Sequence, residues 1–174
     1  QTFLSLTKEF KTCLQQYCES LLSKCVPGTT SNGTTVYKLT PGMEVTLCYL
    51  LNTGEYCADV VPQLEQLIKS KMLVEYEERV DFNQECDVFL DLVAHMLKAL
   101  VSGIIDKTES SFRDMSSKSW HTVTEAGEDS VYIQNISRIY IELVPKIRVN
   151  LSNSYFKNIC SKVAAETTQR YVWG

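Results

Sequence analysis

The chain is poor in the residues on which most catalytic and metal sites depend. It has two histidines, His95 and His121, so a cysteine hydrolase would have only these to pair with a thiol. Its seven cysteines include no C-x-x-C pair, which removes the spacing of the common zinc sites. Its seven glycines form neither G-x-x-x-x-G-K-S/T nor G-x-G-x-x-G, so neither phosphate-binding loop is encoded.

The chain also lacks a membrane-length apolar run and an excess of basic residues. No run approaches the ~20 apolar residues that cross a bilayer. Hydrophobic content is 44% and charged content is 22%, as in an ordinary soluble globular protein. The net charge is −4 and the basic residues are sparse, so nucleic acid is not an expected partner. At this length about 70% of the unfolded surface can be buried, which allows a real core.

Charge is spread unevenly along the chain. Residues 75–129 carry five basic and thirteen acidic side chains, whereas residues 130–174 carry six basic and two acidic ones. We expect the last helix to lie beside the acidic middle one, and steering of a charged partner is the alternative. Most cysteines lie among apolar helical residues, which predicts free thiols in a reducing, cytosolic compartment.

Apolar side chains recur at steps of three and four, which predicts four helices and no strand. The first helix covers about 3–25 and is followed by a flexible loop at 26–39. The second begins with Thr40 as N-cap and Pro41 in the first turn, and Pro62 should kink or divide it. The first apolar stripe is Leu6, Phe10, Leu14, Tyr17, Leu21 and Leu22. The second is Leu47, Leu51, Gly54, Ala58, Val61, Leu64 and Ile68.

The third helix, about 83–115, carries two adjacent apolar stripes and should contact two neighbours at the centre of a bundle. One stripe is Phe89, Val93, Met96, Leu100 and Ile104, and the other is Leu90, Ala94, Leu97, Val101 and Ile105. A polar loop at 116–129 leads to one fourth helix, about 130–171, which Pro145 should kink. These lengths predict an all-α fold, an antiparallel bundle of long helices. Residues 1–174 should form a single segment of a longer helical rod.

Acidic residues cluster between 75 and 91, where segment 81–85 begins like an EF-hand calcium loop. The sixth and twelfth loop positions require Gly and Glu but hold Cys86 and Leu92, so the match fails. We interpret the acids as groups at and before a helix N-terminus, where the helix dipole favours them. The cluster is Glu75, Glu77, Glu78, Asp81, Glu85, Asp87 and Asp91.

No catalytic constellation is encoded elsewhere. His95 lies close to the apolar stripes of the third helix and fits a core or boundary residue. His121 follows Trp120 in a polar loop, and no cysteine sits in a glycine-rich turn. We therefore expect no catalytic, cofactor-binding or metal-binding residues and no cofactor. Trp120 should anchor one end of the bundle, with a partner-binding hot spot as the alternative.

Residues Leu50–Cys57 are the least expected part of the second helix. Asn52, Thr53 and Gly54 are consecutive poor helix formers, and glycine costs about 1 kcal/mol relative to alanine inside a helix. Gly54 falls on the apolar stripe of this helix. We therefore interpret it as a notch that admits a neighbouring helix, in preference to a catalytic loop.

The same stretch, Leu50–Cys57, resembles a segment of the vacuolar protein sorting-associated protein 53 family. Gln63–Glu65 matches at similar spacing, and a weaker match covers Leu6–Leu22. Two departures are Gly54, where the family has alanine, and Val131, where it has proline. A second and longer block comprises Met115, Ser116, Trp120, Val123, Gly127, Ser130, Tyr132, Val144, Pro145, Ile147, Arg148, Asn150 and Leu151. The matches extend from Phe3 to about Val163 and omit the loop at 26–39.

The resemblance implies a non-catalytic, scaffold-like subunit of the Golgi-associated retrograde protein complex (GARP) and its endosomal recycling relative (EARP). The matched part is an internal or C-terminal-half section, whose acidic 75–91 segment and basic fourth helix are candidate surfaces. Such complexes tether vesicles during endosome-to-trans-Golgi retrograde transport and endosomal recycling.

The implied partners are the other tethering-complex subunits, with SNAREs and small GTPases as further candidates. The implied location is the cytoplasmic face of the trans-Golgi network and endosomes, through peripheral membrane association. A helical section of a related tether, of the exocyst, conserved oligomeric Golgi or Dsl type, is the first alternative. An α-helical enzyme module with His95 or His121 in a pocket is the second.

Overall fold

Long helices make up nearly all the regular structure, which confirms the predicted all-α fold. The computed structural model describes residues 2–25, 28–31, 34–122 and 130–173. Its elements are α1 (Thr2–Leu22), β1 (Thr29–Ser31), β2 (Thr34–Val36), α2 (Met43–Lys69), α3 (Val74–Glu77), α4 (Asn83–Ser117), a 3-10 turn (Trp120–Thr122), α5 (Val131–Asn150) and α6 (Asn153–Trp173).

The prediction that the chain has no strand is wrong between α1 and α2. β1 and β2 pair antiparallel, with Thr29 opposite Val36 and Ser31 opposite Thr34. Threonine and valine favour extended backbone, so this part of the expected loop at 26–39 can form a short hairpin. The flexibility of that loop stays a prediction. In the second expected loop, at 116–129, the described part ends in the 3-10 turn, and residues 123–129 lie outside the described residues.

The predicted N-cap of the second helix is also wrong. The Met43 amide donates to the Thr40 carbonyl at 3.0 Å, which closes a turn around Pro41 and Gly42. Gly42 has φ of 87°, the left-handed conformation that the third residue of a type II turn requires. The Gly42 carbonyl then accepts from Val45 and Thr46, so α2 starts at Met43 with glycine as its cap.

Pro62 does not divide α2, which continues from Met43 to Lys69. A proline has no N–H, so the carbonyl of Ala58, four residues earlier, loses its helical partner. The Cys86 thiol donates to this carbonyl at 3.5 Å. A thiol from α4 therefore occupies the position left by the missing amide, which helps α2 to tolerate its internal proline.

The single fourth helix predicted from 130 to 171 is wrong, because α5 and α6 are separate helices. Leu151 is extended, with φ of −125° and ψ of 154°. The Ser152 carbonyl then accepts from the Phe156 amide, so Ser152 caps α6. Pro145 lies within α5 and does not divide it. Serine and asparagine around position 152 favour a new N-cap over a continued helix, while the apolar stripe passes over the break unchanged.

The contacts divide the chain into two compact units. Unit 1 comprises Gln1–Cys25 and Tyr49–Leu97, and unit 2 comprises Val26–Cys48 and Lys98–Gly174. In unit 1, α1 and α4 run in the same direction and α2 runs antiparallel to both, as the order of their contacts requires. The antiparallel packing of long helices is thus present in unit 1. The prediction of one bundle segment in a longer rod stays a prediction.

The core of unit 1 is built from facing apolar stripes. Both Phe89 and Leu51 are fully buried. The buried apolar side chains of unit 1 are Cys18, Leu21, Leu50, Leu51, Ala58, Val61, Val80, Phe82, Phe89, Leu92, Val93 and Met96. The predicted stripe of α2 therefore faces the core as expected over positions 51–61.

In unit 2, α5 and α6 form an antiparallel pair. The Tyr140 hydroxyl bonds the Thr167 hydroxyl at 2.5 Å, and the Arg148 guanidinium lies over the Phe156 ring at 5.0 Å. One cluster of unit 2 joins Phe112 and Met115 of α4 to Tyr132 and Ile136 of α5. Further core residues of this unit are Tyr37, Leu39, Leu47, Cys48, Ala99, Leu100, Ile104, Ile105, Leu143, Ile147, Leu151 and Ile159.

The two predicted stripes of α4 have different environments. The first, from Phe89 to Ile104, is buried throughout. In the second, Leu90 and Ala94 are exposed and only Ile105 is buried. The first half of α4 nevertheless contacts two helices, α1 and α2, as predicted. By length and composition α4 could also cross a membrane, since an 18-residue window has a mean hydropathy of 1.8. Half of that window is buried within the fold, which is the pattern of a core helix.

Candidate functional site

Gly54 lies where α2 packs tightly against α4 in unit 1. A Cβ at this position would meet Val93 Cγ2 at 3.0 Å, Leu92 Cδ2 at 3.2 Å and the Phe89 carbonyl oxygen at 3.4 Å. These separations leave no space for a side chain without displacing α4 residues. The notch interpretation of Gly54 is therefore confirmed, and residues 52–54 continue α2 instead of forming a loop.

The start of α4 is held by a carboxylate of α2. Glu65 of α2 accepts the Phe82 amide at 2.9 Å and pairs with Lys69. This contact satisfies an amide at the helix N-terminus and places negative charge where the dipole favours it. Glu65 belongs to the Gln63–Glu65 match, so this part of the resemblance has a structural role.

Glu85 is the buried residue of the acidic 75–91 cluster. Its side chain is only 1% exposed, it accepts from Gln15 Nε2 at 3.0 Å, and its Oε2 lies 3.3 Å from Lys11 Nζ. The Lys11 contact is an ion pair without hydrogen-bond geometry. Lys11 also lies over the Phe82 ring, 5.5 Å from its centre. Glu85 lies in the first turn of α4, as the dipole argument predicts, and it also joins α1 to α4.

The other acids of the 75–91 segment remain on the surface of unit 1. Asp81 accepts the Asn83 amide at 2.9 Å and so stabilises the first turn of α4, as the dipole argument predicts. Unit 1 contains six basic and twelve acidic side chains, a net charge of −6. Unit 2 contains eleven basic and nine acidic ones, a net charge of +2. The surface of unit 1 therefore carries most of the negative charge.

The basic residues of α5 and α6 pair with acids in unit 2. Arg170 forms an ion pair with Glu109 of α4, and Lys146 lies 3.5 Å from the buried Glu44 and 3.0 Å from Glu142. Hydrogen bonding to Lys146 lowers the pKa of Glu142, and the same contact raises the pKa of Lys146. The expectation that the basic last segment lies beside acids of the middle helix is confirmed at Arg170.

A groove in unit 2 runs between α4 and α6, with the hairpin at one end. One cavity of about 580 Å³ is lined by Thr35, Ser102, Asp106 and Lys162 among others. A second, of about 620 Å³, shares Glu109, Arg113, Glu166 and Arg170 with the first. The charges of both signs in this groove, and the pairing of Arg113 and Arg170 with Glu109, favour helix–helix adhesion over binding of one charged ligand.

The environments of the described thiols are those of structural groups rather than of reactive ones. Free thiols are carried by Cys13, Cys18, Cys48, Cys57, Cys86 and Cys160. Burial raises the pKa of Cys48 to about 12, and the nearby Glu44 adds to this effect. Burial also raises the pKa of Cys18, Cys57 and Cys86. Reactive cysteines need a lowered pKa and solvent access, so these four have the opposite of a nucleophile's environment.

The histidines do not complete a metal site in the described part of the chain. His95 is half-buried on α4, as predicted for a boundary residue, and His121 is exposed in the 3-10 turn. Among residues 2–25, 28–31, 34–122 and 130–173, no group of three or more His, Cys, Asp or Glu could hold a metal ion. The expectation of no catalytic or metal-binding residue stays a prediction.

Trp120 is only partly consistent with its predicted role as an anchor. Its ring meets the buried Tyr132 ring edge-on at 6.1 Å, and Lys118 Nζ lies 5.5 Å from the ring centre. Half of the side chain is nevertheless exposed. The tryptophan therefore packs over α5 of unit 2 without being enclosed, and the alternative of a partner contact stays open at its outer face.

The comparisons with known proteins cover nearly the whole chain. The model of the family described as exocyst complex component Sec6 matches residues 1–173. Vacuolar protein sorting-associated protein 53 A of Arabidopsis thaliana is 25% identical over 181 residues, covering 98% of this chain and 21% of that protein. The vacuolar protein sorting-associated protein 53 homolog of Caenorhabditis elegans is 26% identical over 137 residues, covering 78% and 16%. No solved structure matches the chain.

The chain spans about a fifth of the length of the curated relatives it matches. Both relatives carry the name that the Leu50–Cys57 block and the second block suggested, so the resemblance is confirmed. The notch at Gly54 and the Glu65 contact lie in matched segments, and both hold helices together. The chain therefore belongs to the family of exocyst complex component Sec6, as a segment similar to vacuolar protein sorting-associated protein 53.

Proposed function

We propose that this chain is a non-catalytic section of one subunit of a multisubunit vesicle-tethering complex. The complex would act in endosome-to-trans-Golgi retrograde transport and in endosomal recycling, as GARP and EARP do. The observation that carries the proposal is the family match along residues 1–173 together with two relatives named vacuolar protein sorting-associated protein 53. The exocyst in the family description keeps a related tether as the second candidate.

The structure supports a mechanical role for this section. A helix advances about 1.5 Å per residue, so the 35 residues of α4 extend about 50 Å. The charged contacts described above, such as Glu85 with Lys11 and Glu109 with Arg170, join one helix to another. Tethering requires reach and stiffness, and long helices cross-linked in this way supply both.

The partners of the section follow from the same proposal. Other subunits of the tethering complex would bind the whole protein, with SNAREs and small GTPases as further partners. The protein would reach the cytoplasmic face of the trans-Golgi network and endosomes through the complex, as a peripheral component. Its exposed surfaces, rather than a pocket, would make these contacts.

Co-purification of the tagged full-length protein from cells tests this proposal. We expect the other three GARP or EARP subunits to be recovered in comparable amounts, as mass spectrometry can measure. The same tag on an unrelated cytosolic protein is the control. Recovery of exocyst subunits instead would favour the second candidate, and recovery of no tether subunit would refute the proposal.

A further inference from the structure

A second apolar stripe runs along α1 on the side of the helix next to its core face. Phe3, Leu6, Phe10 and Tyr17 are 52%, 49%, 46% and 46% exposed. The core face of the same helix is instead made by Thr7, Cys18 and Leu21, all of which are buried. Leu6, Phe10 and Tyr17 belong to the predicted apolar stripe of the first helix, and the structure places them at the edge of the core. Several large apolar side chains, each about half exposed on the same face of one helix, are unusual.

The spacing of this stripe is that of a helix-packing surface. Phe3, Leu6, Phe10, Cys13 and Tyr17 follow steps of three and four, and Cys13 is also exposed. Apolar residues at such steps form the seam along which a second helix lies. Tyr17 is held at one end by its contact with the Phe89 ring, 6.5 Å between centres. This end of the α1 stripe therefore packs against the core of unit 1.

At its other end the stripe opens into a small apolar cavity. The cavity, of about 230 Å³, is lined by Phe3, Leu4, Lys71, Met72, Leu73 and Tyr76. Leu73 and the adjacent Val74 are 68% and 79% exposed. A recess of this size accepts one large apolar side chain at the end of a docked helix, as binding anchors do.

Charge decides between the possible occupants of this surface. Glu75, Glu77 and Glu78 follow the cavity residues in and just after α3, and unit 1 has a net charge of −6. Lys71 and Arg79 lie in the same region but leave the excess negative. A second copy of this chain would bring two −6 units together, and an anionic lipid surface would also be repelled. A cationic partner is attracted.

We propose that the α1 stripe, defined as Phe3, Leu6, Phe10, Cys13 and Tyr17, together with the Leu73 cavity binds an amphipathic helix of another protein. That helix has an apolar face for the stripe and lysine or arginine beside it for the α3 carboxylates. The inference deepens the proposed function, on which it rests, because a tether section needs a surface for other chains. Apolar contact supplies affinity and the charge pairs set orientation and partner choice.

Fluorescence anisotropy with a designed peptide tests the surface directly. The probe is a labelled helix of about three heptads with leucine at the a and d positions and lysine at e and g. The control probe has glutamate at e and g. We expect the purified full chain to bind the lysine peptide, and to bind the glutamate peptide at least about tenfold more weakly.

Two substitutions in the surface and one control outside it locate the binding. Phe10→Ser should weaken binding of the lysine peptide by about tenfold or more, since aromatic anchors dominate such interfaces. Tyr56→Ser, at an exposed aromatic residue of α2 in the same unit, should leave it unchanged. Leu73→Ser is the second variant, to be used if a thermal melt shows that Phe10→Ser alters the fold.

Each of the following results would overturn the proposal. Equal binding of both peptides would show that charge plays no part, and unchanged binding by Phe10→Ser and Leu73→Ser would place the site elsewhere. Concentration-dependent dimerisation, or binding to phosphatidylserine vesicles, that is abolished by Phe10→Ser would assign the surface to a second copy or to a membrane. Failure of peptide binding leaves the co-purification of tether subunits intact, so the two proposals fail separately.

Discussion

Gly54→Leu is expected to destabilise the chain by about 1–3 kcal/mol, because a side chain at this position overpacks the contact between α2 and α4. Even a single Cβ would lie 3.0 Å from Val93 Cγ2, and the Phe89 backbone blocks a third direction. Leucine adds three further carbons into the same space. Urea unfolding followed by circular dichroism measures the change, and the midpoint should fall without a change in slope.

Two variants make the Gly54 result specific. Gly54→Ala should destabilise the chain less than Gly54→Leu. Replacing glycine by alanine restricts the backbone of the unfolded chain and favours the helix, and this gain offsets part of the cost of the close contact. Tyr56→Leu changes an exposed side chain on the same helix and should lie within about 0.5 kcal/mol of the unmodified chain. A neutral Gly54→Leu melt would show that α4 does not pack against this position.

Lys11→Met is expected to destabilise the chain by about 1–3 kcal/mol, because it leaves the Glu85 carboxylate buried without its cation. Removing one partner of a fully buried pair costs more, but Lys11 is 31% exposed, and water screens part of the interaction. The Lys11 contact with the Phe82 ring is lost in the same variant. Urea unfolding at low and high salt measures the loss.

A double-mutant cycle separates the ion pair from the packing of Lys11. Glu85→Gln keeps an acceptor for Gln15 and removes the buried charge, so Lys11→Met should cost less in that background. Lys8→Met on the same helix is the matched control, since Lys8 is exposed. Equal costs of Lys11→Met in both backgrounds would contradict the assignment of a stabilising pair.

The sequence predicted well those features that depend on a repeated pattern. The stripe of α2, including Gly54, and the first stripe of α4 follow helical periodicity. The structure buries the α2 stripe from Leu47 to Val61 and the whole first stripe of α4. Periodicity did not predict the break between α5 and α6, because one apolar stripe continues across it. Ile147, Leu151 and Ile159 are all buried, so nothing in the apolar pattern marks the extended residue between α5 and α6.

The candidate surfaces were harder to predict because they depend on which neighbours a helix has. Phe10 and Leu21 both lie in the apolar stripe of α1, but Leu21 is buried and Phe10 is not. Glu85 looks in sequence like the acids around it, and its burial depends on its position opposite Lys11 and Gln15. A signal was available in Lys11 and Gln15, which follow the core face of α1 at steps of four.

Retrograde transport in cells lacking the protein tests the central claim most directly, namely that this section acts through helix packing and surfaces rather than chemistry. The cells are supplied with full-length protein carrying either His95→Gln with His121→Gln or Gly54→Leu. The account predicts that endosome-to-trans-Golgi delivery of a labelled cargo is restored by the double histidine variant and reduced with Gly54→Leu. Loss of delivery with the histidine variant at normal protein level, and full delivery with Gly54→Leu, would contradict it.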